Sequence, residues 1–161
     1  MAAPIRGRFP LKGALMTQFA SALPDPTHQA GFYANVATKR LLAWVLDTLL
    51  ILFLCLLALP FTAFIALFFF PAFYLVIGFA YRTLTLTGQS ATLGMRLMAI
   101  ELRDHHGARF GLGTALVHTL GYSMSMAFVL PQVISAVLMV ASPRGQGLTD
   151  LVLGSAAINR P

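Results

Sequence analysis

Charge is scarce in this chain, and acidic charge above all. Five Asp and Glu stand against eleven Lys and Arg in 161 residues, and only 10 % of the chain is charged. Soluble domains carry about 25 % charged residues. A chain that is 58 % hydrophobic therefore has a surplus of apolar surface that must face lipid. The single cysteine, Cys55, excludes an intrachain disulfide and, within an apolar run, packs as a small hydrophobe. Catalytic signatures are missing as well: there is no zincin helix, no phosphate loop with its lysine and no nucleophile elbow. The few acids are too far apart to pair as acid and base, so neither catalysis nor a cofactor is expected. Asp104-His105-His106 reads as a solvated turn, not a metal site, because adjacent histidines point to different sides. The net charge of +6 is not one compact patch. Its carriers, Arg6, Arg8, Lys12, Lys39, Arg40, Arg82, Arg96, Arg103 and Arg109, flank apolar runs. That placement follows the positive-inside rule and excludes nucleic acid as a partner.

What the chain has in abundance is one long apolar stretch. Between Arg40 and Arg82 the only charged residue is Asp47. A helix needs roughly 20 apolar residues to cross the hydrocarbon, so the stretch predicts two membrane segments, about 40–59 and 62–82. Pro60 divides them, since proline cannot continue a helical ladder, and Pro71 predicts a kink within the second. Trp44 and Tyr81 fall near the ends of the arms, where aromatic rings favour the headgroup region. Arg40 can snorkel to the interface, with Asp47 two turns farther on and about 10 Å deeper. A carboxylate facing lipid costs about 2.5–3.5 kcal/mol on insertion scales. Asp47 should therefore face the bundle and find a partner there.

The flanks are more polar. Residues 1–34 form an N-terminal tail, with Leu11, Leu15 and Phe19 at the spacing of an interfacial amphipathic helix. Pro4, Pro10, Pro24 and Pro26 point instead to a disordered tail. No apolar run begins before Leu41, too late for a signal peptide. Residues 83–112 make a loop on the side of the N-terminus, and basic residues on both place that side in the cytoplasm. Within the loop, Ile100-Glu101-Leu102-Arg103 alternates and His105-His106-Gly107 turns, which predicts a small β-hairpin. Residues 113–141 form a third membrane segment. Its polar stripe of Thr114, His118, Tyr122 and Ser125 falls on one helical side. There His118 either joins a proton relay or hydrogen-bonds within the bundle. Gly121, Ser123 and Ala127 permit close helix approach. Pro131 either kinks one crossing or separates two short ones that return the chain to the cytoplasm, which Arg144 and Arg160 favour.

Three passages are familiar in order and spacing. Gly31-Phe32-Tyr33 through Arg40 to Asp47, then Ser90-Ala91-Thr92-Leu93-Gly94-Met95-Arg96 with the strand and turn after it, and Arg144-Gly145-Gln146-Gly147-Leu148-Thr149-Asp150 together resemble the RDD family. This is a family of small membrane proteins named for one arginine and two aspartates. The resemblance implies a buried charge network of Arg40, Asp47 and Asp150, with Arg96 standing in for the basic residue displaced by Met95 and with His118 as accessory. Thr149 occupies a position where the family often has histidine. The implied fold is an all-α membrane protein with a helical hairpin, a third segment and a small cytoplasmic β element, spanning residues 35–160. The implied setting is the bacterial inner membrane, with the N-terminus cytoplasmic. Its partners would be the lipid bilayer together with further copies of itself or other membrane subunits. Two functions stay open: small-ion transport by cation–proton exchange, or a membrane scaffold whose Arg/Asp network is structural.

Overall fold

Helix α1, Val36–Ala58, is the axis of the molecule. The computed structural model describes residues 22–160, and the proposed interfacial helix of Leu11, Leu15 and Phe19 lies outside them. At 1.5 Å per residue α1 is roughly 34 Å long, enough to cross a bilayer. Among the described residues, Ala30–Ala58 is the one segment long and apolar enough to do so by itself. Its inward stripe is Val36, Ala43, Asp47, Ile51 and Cys55, while Leu41, Leu49, Phe53 and Leu56 stay exposed on the other side. In water such a surface would be a liability, but against acyl chains it costs nothing.

The far end of α1 does not turn sharply at Pro60. Two short 3-10 turns, Pro60–Thr62 and Ile65–Leu67, lie between the arms. Ala63 and Phe64 both adopt left-handed backbone there, with φ of 48° and 61°. Helix α2, Phe70–Gln89, begins only after them and runs into the expected loop. Pro71 sits in the first turn of α2 and produces no mid-helix kink, because its missing N–H is one the helix would leave unpaired anyway.

At the near end the chain forms α3, Leu93–Leu97, then β1, Ile100–Arg103. The β-hairpin expected here does not form. β1 pairs antiparallel with β2, Ala156–Asn159, from the tail, in the register Ile100↔Asn159 to Arg103↔Ala156. The reason is local. Asp104 Oδ1 accepts the N–H groups of His106 and Ala108 at 2.9 and 2.8 Å, which curls the chain tightly. Phe110 then enters the core and gives its N–H to Ser90 Oγ. No extended partner for β1 remains in that segment.

The segment 113–141 is likewise two helices, α4, Leu112–Ala127, and α5, Val129–Ala141, bent by 117°. The break is at Phe128, which is extended, so Pro131 sits inside the first turn of α5. A short helix α6, Leu148–Leu153, leads into β2. Residues 22–34, expected as part of a tail, pack on the fold. Asp25 Oδ1 caps a turn at Thr27 N (2.7 Å) and His28 N (3.2 Å), and Ala22 donates to the His105 carbonyl at 3.0 Å.

The near end is thereby stitched into one face. Lys39 Nζ donates to Asn159 Oδ1 at 2.7 Å, Asn159 Nδ2 donates to the Gly31 and Ala34 carbonyls, and Arg160 reaches the Gln89 carbonyl at 3.4 Å. Beneath it lie Val36, Leu86, Ile100, Leu102, Phe110, Ala115 and Ala157 as one apolar cluster.

Candidate functional site

Asp47 is 1 % exposed, at the midpoint of α1. Its Oδ1 accepts the Tyr81 hydroxyl at 2.6 Å and the Gly94 N–H at 2.9 Å, and its Oδ2 accepts the Thr92 hydroxyl at 2.6 Å. Both hydroxyls are themselves acceptors: Tyr81 from Leu93 N at 3.0 Å, Thr92 from Met95 N at 3.2 Å. Their own protons therefore point at the carboxylate, which is the arrangement an anion requires. Gly94 has to be glycine for this approach. A Cβ there would overlap the Ala43 carbonyl oxygen and stand 2.9 Å from Asp47 Oδ1. The cation beside Asp47 is Arg82, with NH1 3.8 Å from Oδ2 and its guanidinium 4.3 Å above the Tyr122 ring. Trp44 Nε1 holds the Tyr122 hydroxyl at 2.8 Å.

Asp150, equally buried, forms a second cluster. Its Oδ2 accepts Arg40 NH1 at 2.6 Å and the Gly147 N–H at 3.0 Å, while its Oδ1 faces His118 Nε2 at 2.9 Å and Ser155 Oγ at 3.3 Å. The Gly147 bond is the helix-capping half of a capping box, closed from the third position of α6. Burial works to raise the Asp150 pKa. The Arg40 guanidinium, the His118 ring and the Gly147 N–H outweigh it and hold the carboxyl well below the usual carboxylate range.

The three residues implied as one network thus divide between two. Arg40 and Asp47 share a helix face but do not meet: Arg40 takes Asp150, and Asp47 takes Arg82. Arg96 is exposed in α3, and no ion pair of its own is found among the described residues. Tyr81, expected at the headgroups, is instead buried against Asp47. Arg82, Tyr81 and Thr92 were not legible as site residues. The available signal was that Arg82, seven residues upstream of Gln89, is the one cation inside an otherwise uncharged α2.

Both clusters open on one cavity of about 490 Å³ between α1, α2, α4 and α5. Arg40, Asp47, Arg82, His118 and Asp150 line it, along with Trp44, Tyr122 and Thr119. The Thr119 hydroxyl is buried without a hydrogen-bond partner. The polar stripe of α4 therefore faces this space through His118, Tyr122 and Ser125. Gly121 brings α4 so close to α6 that a Cβ there would stand 2.7 Å from Thr149 Cγ2. A third charged group stands apart on the sheet, where Arg103, Arg109 and Arg160 surround the buried Glu101.

A family description, RDD family, matches residues 34–154. That span contains Arg40, Asp47, Arg82, His118 and Asp150. The chain belongs to the RDD family. It is accordingly a membrane protein, mostly helical, with a small two-stranded sheet. Among curated proteins and among solved structures, nothing matches. In this RDD protein the arginine at the start of α1 holds the second aspartate, not the first, and so joins the helix to the tail.

Proposed function

We propose that this RDD protein is a multi-pass protein of the bacterial cytoplasmic membrane that moves a small ion by cation–proton exchange at Asp47. The observation that carries the reading is the cavity shared by Asp47, Arg82, Arg40 and Asp150. Of its two guanidiniums, Arg40 is hydrogen-bonded to its carboxylate. Arg82 stands at 3.8 Å, beyond hydrogen-bonding distance, and rests on Tyr122. Arg82 is thus the cation that can withdraw without breaking a hydrogen bond to its aspartate. An entering cation would take its place at Oδ2, and a proton would compete for the same oxygen. Competition of that kind is exchange.

Topology supports the reading. The start of α1, the end of α2 and the tail lie on one face through Lys39, Asn159, Arg160 and Gln89, and that face carries the basic surplus, which favours a cytoplasmic N-terminus. The 117° bend between α4 and α5 returns the chain to it. So small a bundle would enclose a hydrated path together with further copies or other membrane subunits. Neither catalysis nor a cofactor enters this mechanism.

A specific observation favours a second reading, a scaffold: three donors already engage Asp47 and fasten α2 and α3 to α1. Proton flux into liposomes under an imposed sodium or potassium gradient separates the two. Exchange predicts flux with the parent protein and none with folded Asp47→Asn. A parent protein that moves no protons under either gradient removes exchange of these ions and leaves the scaffold.

A further inference from the structure

The turn joining α1 to α2 presents a surface that neither aqueous solvent nor the other described residues explain. Phe61 is 89 % exposed and Phe68 85 %, and Phe64, Ile65, Leu67 and Phe69 are exposed beside them. No charged residue lies between Asp47 and Arg82, so nothing in the turn anchors it to water. A loop that emerged into solvent would leave its amides to water. This one closes six of them internally: Thr62 N and Phe64 N donate to the Leu59 carbonyl, Ala63 N to Pro60, Leu67 N to Phe64, Phe68 N to Ile65 and Phe69 N to Ala66. Even the Thr62 hydroxyl, the turn's one polar side chain, is spent on the Leu59 carbonyl at 2.8 Å. Internal satisfaction of the backbone is what hydrocarbon demands and water does not. The left-handed residues Ala63 and Phe64 are the cost of closing the turn in this way.

We infer that this turn lies in the acyl region of the distal leaflet, its aromatic crown in contact with lipid chains, and that the hairpin ends there without an aqueous loop. Distance agrees. From Arg40 to Leu59, α1 rises roughly 28 Å, close to the hydrocarbon thickness of about 30 Å. The turn therefore begins close to the far boundary, and its apolar residues 60–69 are what meets the lipid there. The inference rests on the membrane placement proposed above and adds which end is wet.

Full-length protein with Cys55→Ala would carry single cysteines at Ala63→Cys or Leu67→Cys, with His106→Cys on the opposite face as reference. Retention in the membrane pellet after alkaline carbonate tests the membrane placement separately. Each cysteine would then be spin-labelled in phospholipid vesicles, and its collision rates with oxygen and with a water-soluble nickel complex compared. Lipid contact predicts high oxygen and low nickel accessibility at positions 63 and 67, with the reverse at 106. Nickel accessibility at 63 and 67 equal to that at 106 would make the turn an aqueous loop. Low accessibility to both reagents would mean that another protein surface covers it. Either result overturns the inference.

Discussion

Truncating Asp150 should be among the most damaging single changes to this fold. The residue is 1 % exposed and accepts from Arg40, Gly147, His118 and Ser155. Asp150→Ala leaves the Arg40 guanidinium, itself only 10 % exposed, with one long contact to the Gly145 carbonyl at 3.4 Å. An uncompensated buried charge of this kind costs about 3–5 kcal/mol. Asp150→Asn is milder. Its amide oxygen can still serve Arg40 and Gly147 while its NH₂ faces a neutral His118 nitrogen, so the loss is that of a charge-assisted bond, about 1.5–3 kcal/mol. Removing both charges in Arg40→Leu/Asp150→Leu should recover most of the stability, since the penalty belongs to the stranded partner. Trp44 is the only tryptophan and lines the cavity, so its fluorescence follows thermal unfolding of the purified protein in detergent. The expected order of destabilisation is Ala, then Asn, then the double variant. A double variant as unstable as Asp150→Ala would refute the reasoning.

The same pair has a signature in pH. Asp150 binds its proton less readily folded than unfolded, so stability rises with pH through the acid range. Its contribution is complete above about pH 5 and fades as pH falls through and below the ordinary carboxylate value of about 3.9. Unfolding of the parent against Asp150→Asn across pH measures it, and a difference that stays constant from pH 5 down to about pH 3 would refute the assignment. Gly94→Ala should destabilise by about 1–3 kcal/mol through overpacking against the Ala43 carbonyl. Gly88→Ala, in α2 with open space around its Cβ, should be neutral or stabilising. Equal thermal midpoints for the two would discard the close-approach argument.

The hairpin, the polar stripe of α4 and the burial of Asp47 were legible because each is a matter of composition or local period. Partner identity was not legible, because it depends on contacts distant in sequence. Arg40 and Asp47 stand two turns apart on one helix, yet the tail brings Asp150 to Arg40 across 110 positions, and α2 brings Arg82 to Asp47. The β-hairpin expectation failed for the same reason. Alternation identified β1 correctly but could not reveal that Asp104 would curl the adjoining chain and leave the edge to Ala156–Asn159. Pro71 was read as a kink inside its helix, and Pro131 as either a kink or the divider of two short helices. Both belong to first turns, where proline is tolerated; α1 does end just before Pro60, while the break between α4 and α5 falls at Phe128, three residues ahead of Pro131.

Charge balance in the cavity yields the prediction that best separates the two functional readings. Two carboxylates and two guanidiniums line it, so with His118 neutral the walls carry no net charge. A further cation must displace Arg82 from Asp47 or arrive as a proton leaves. In Arg82→Gln that competitor is gone, and Asp47 keeps its three neutral donors while losing its cation. If Asp47 is an exchange site, sodium or potassium should now bind the folded protein, stabilise it by about 2.7 kcal/mol at a hundredfold excess over the dissociation constant and so raise its thermal midpoint. Choline at equal ionic strength should do nothing. If the cluster only fastens α2 and α3 to α1, Arg82→Gln simply loses stability, and the three salts act alike. Thermal unfolding in each salt, with Asp47→Asn/Arg82→Gln as the variant that should abolish any difference, therefore tests the site without requiring transport to be observed.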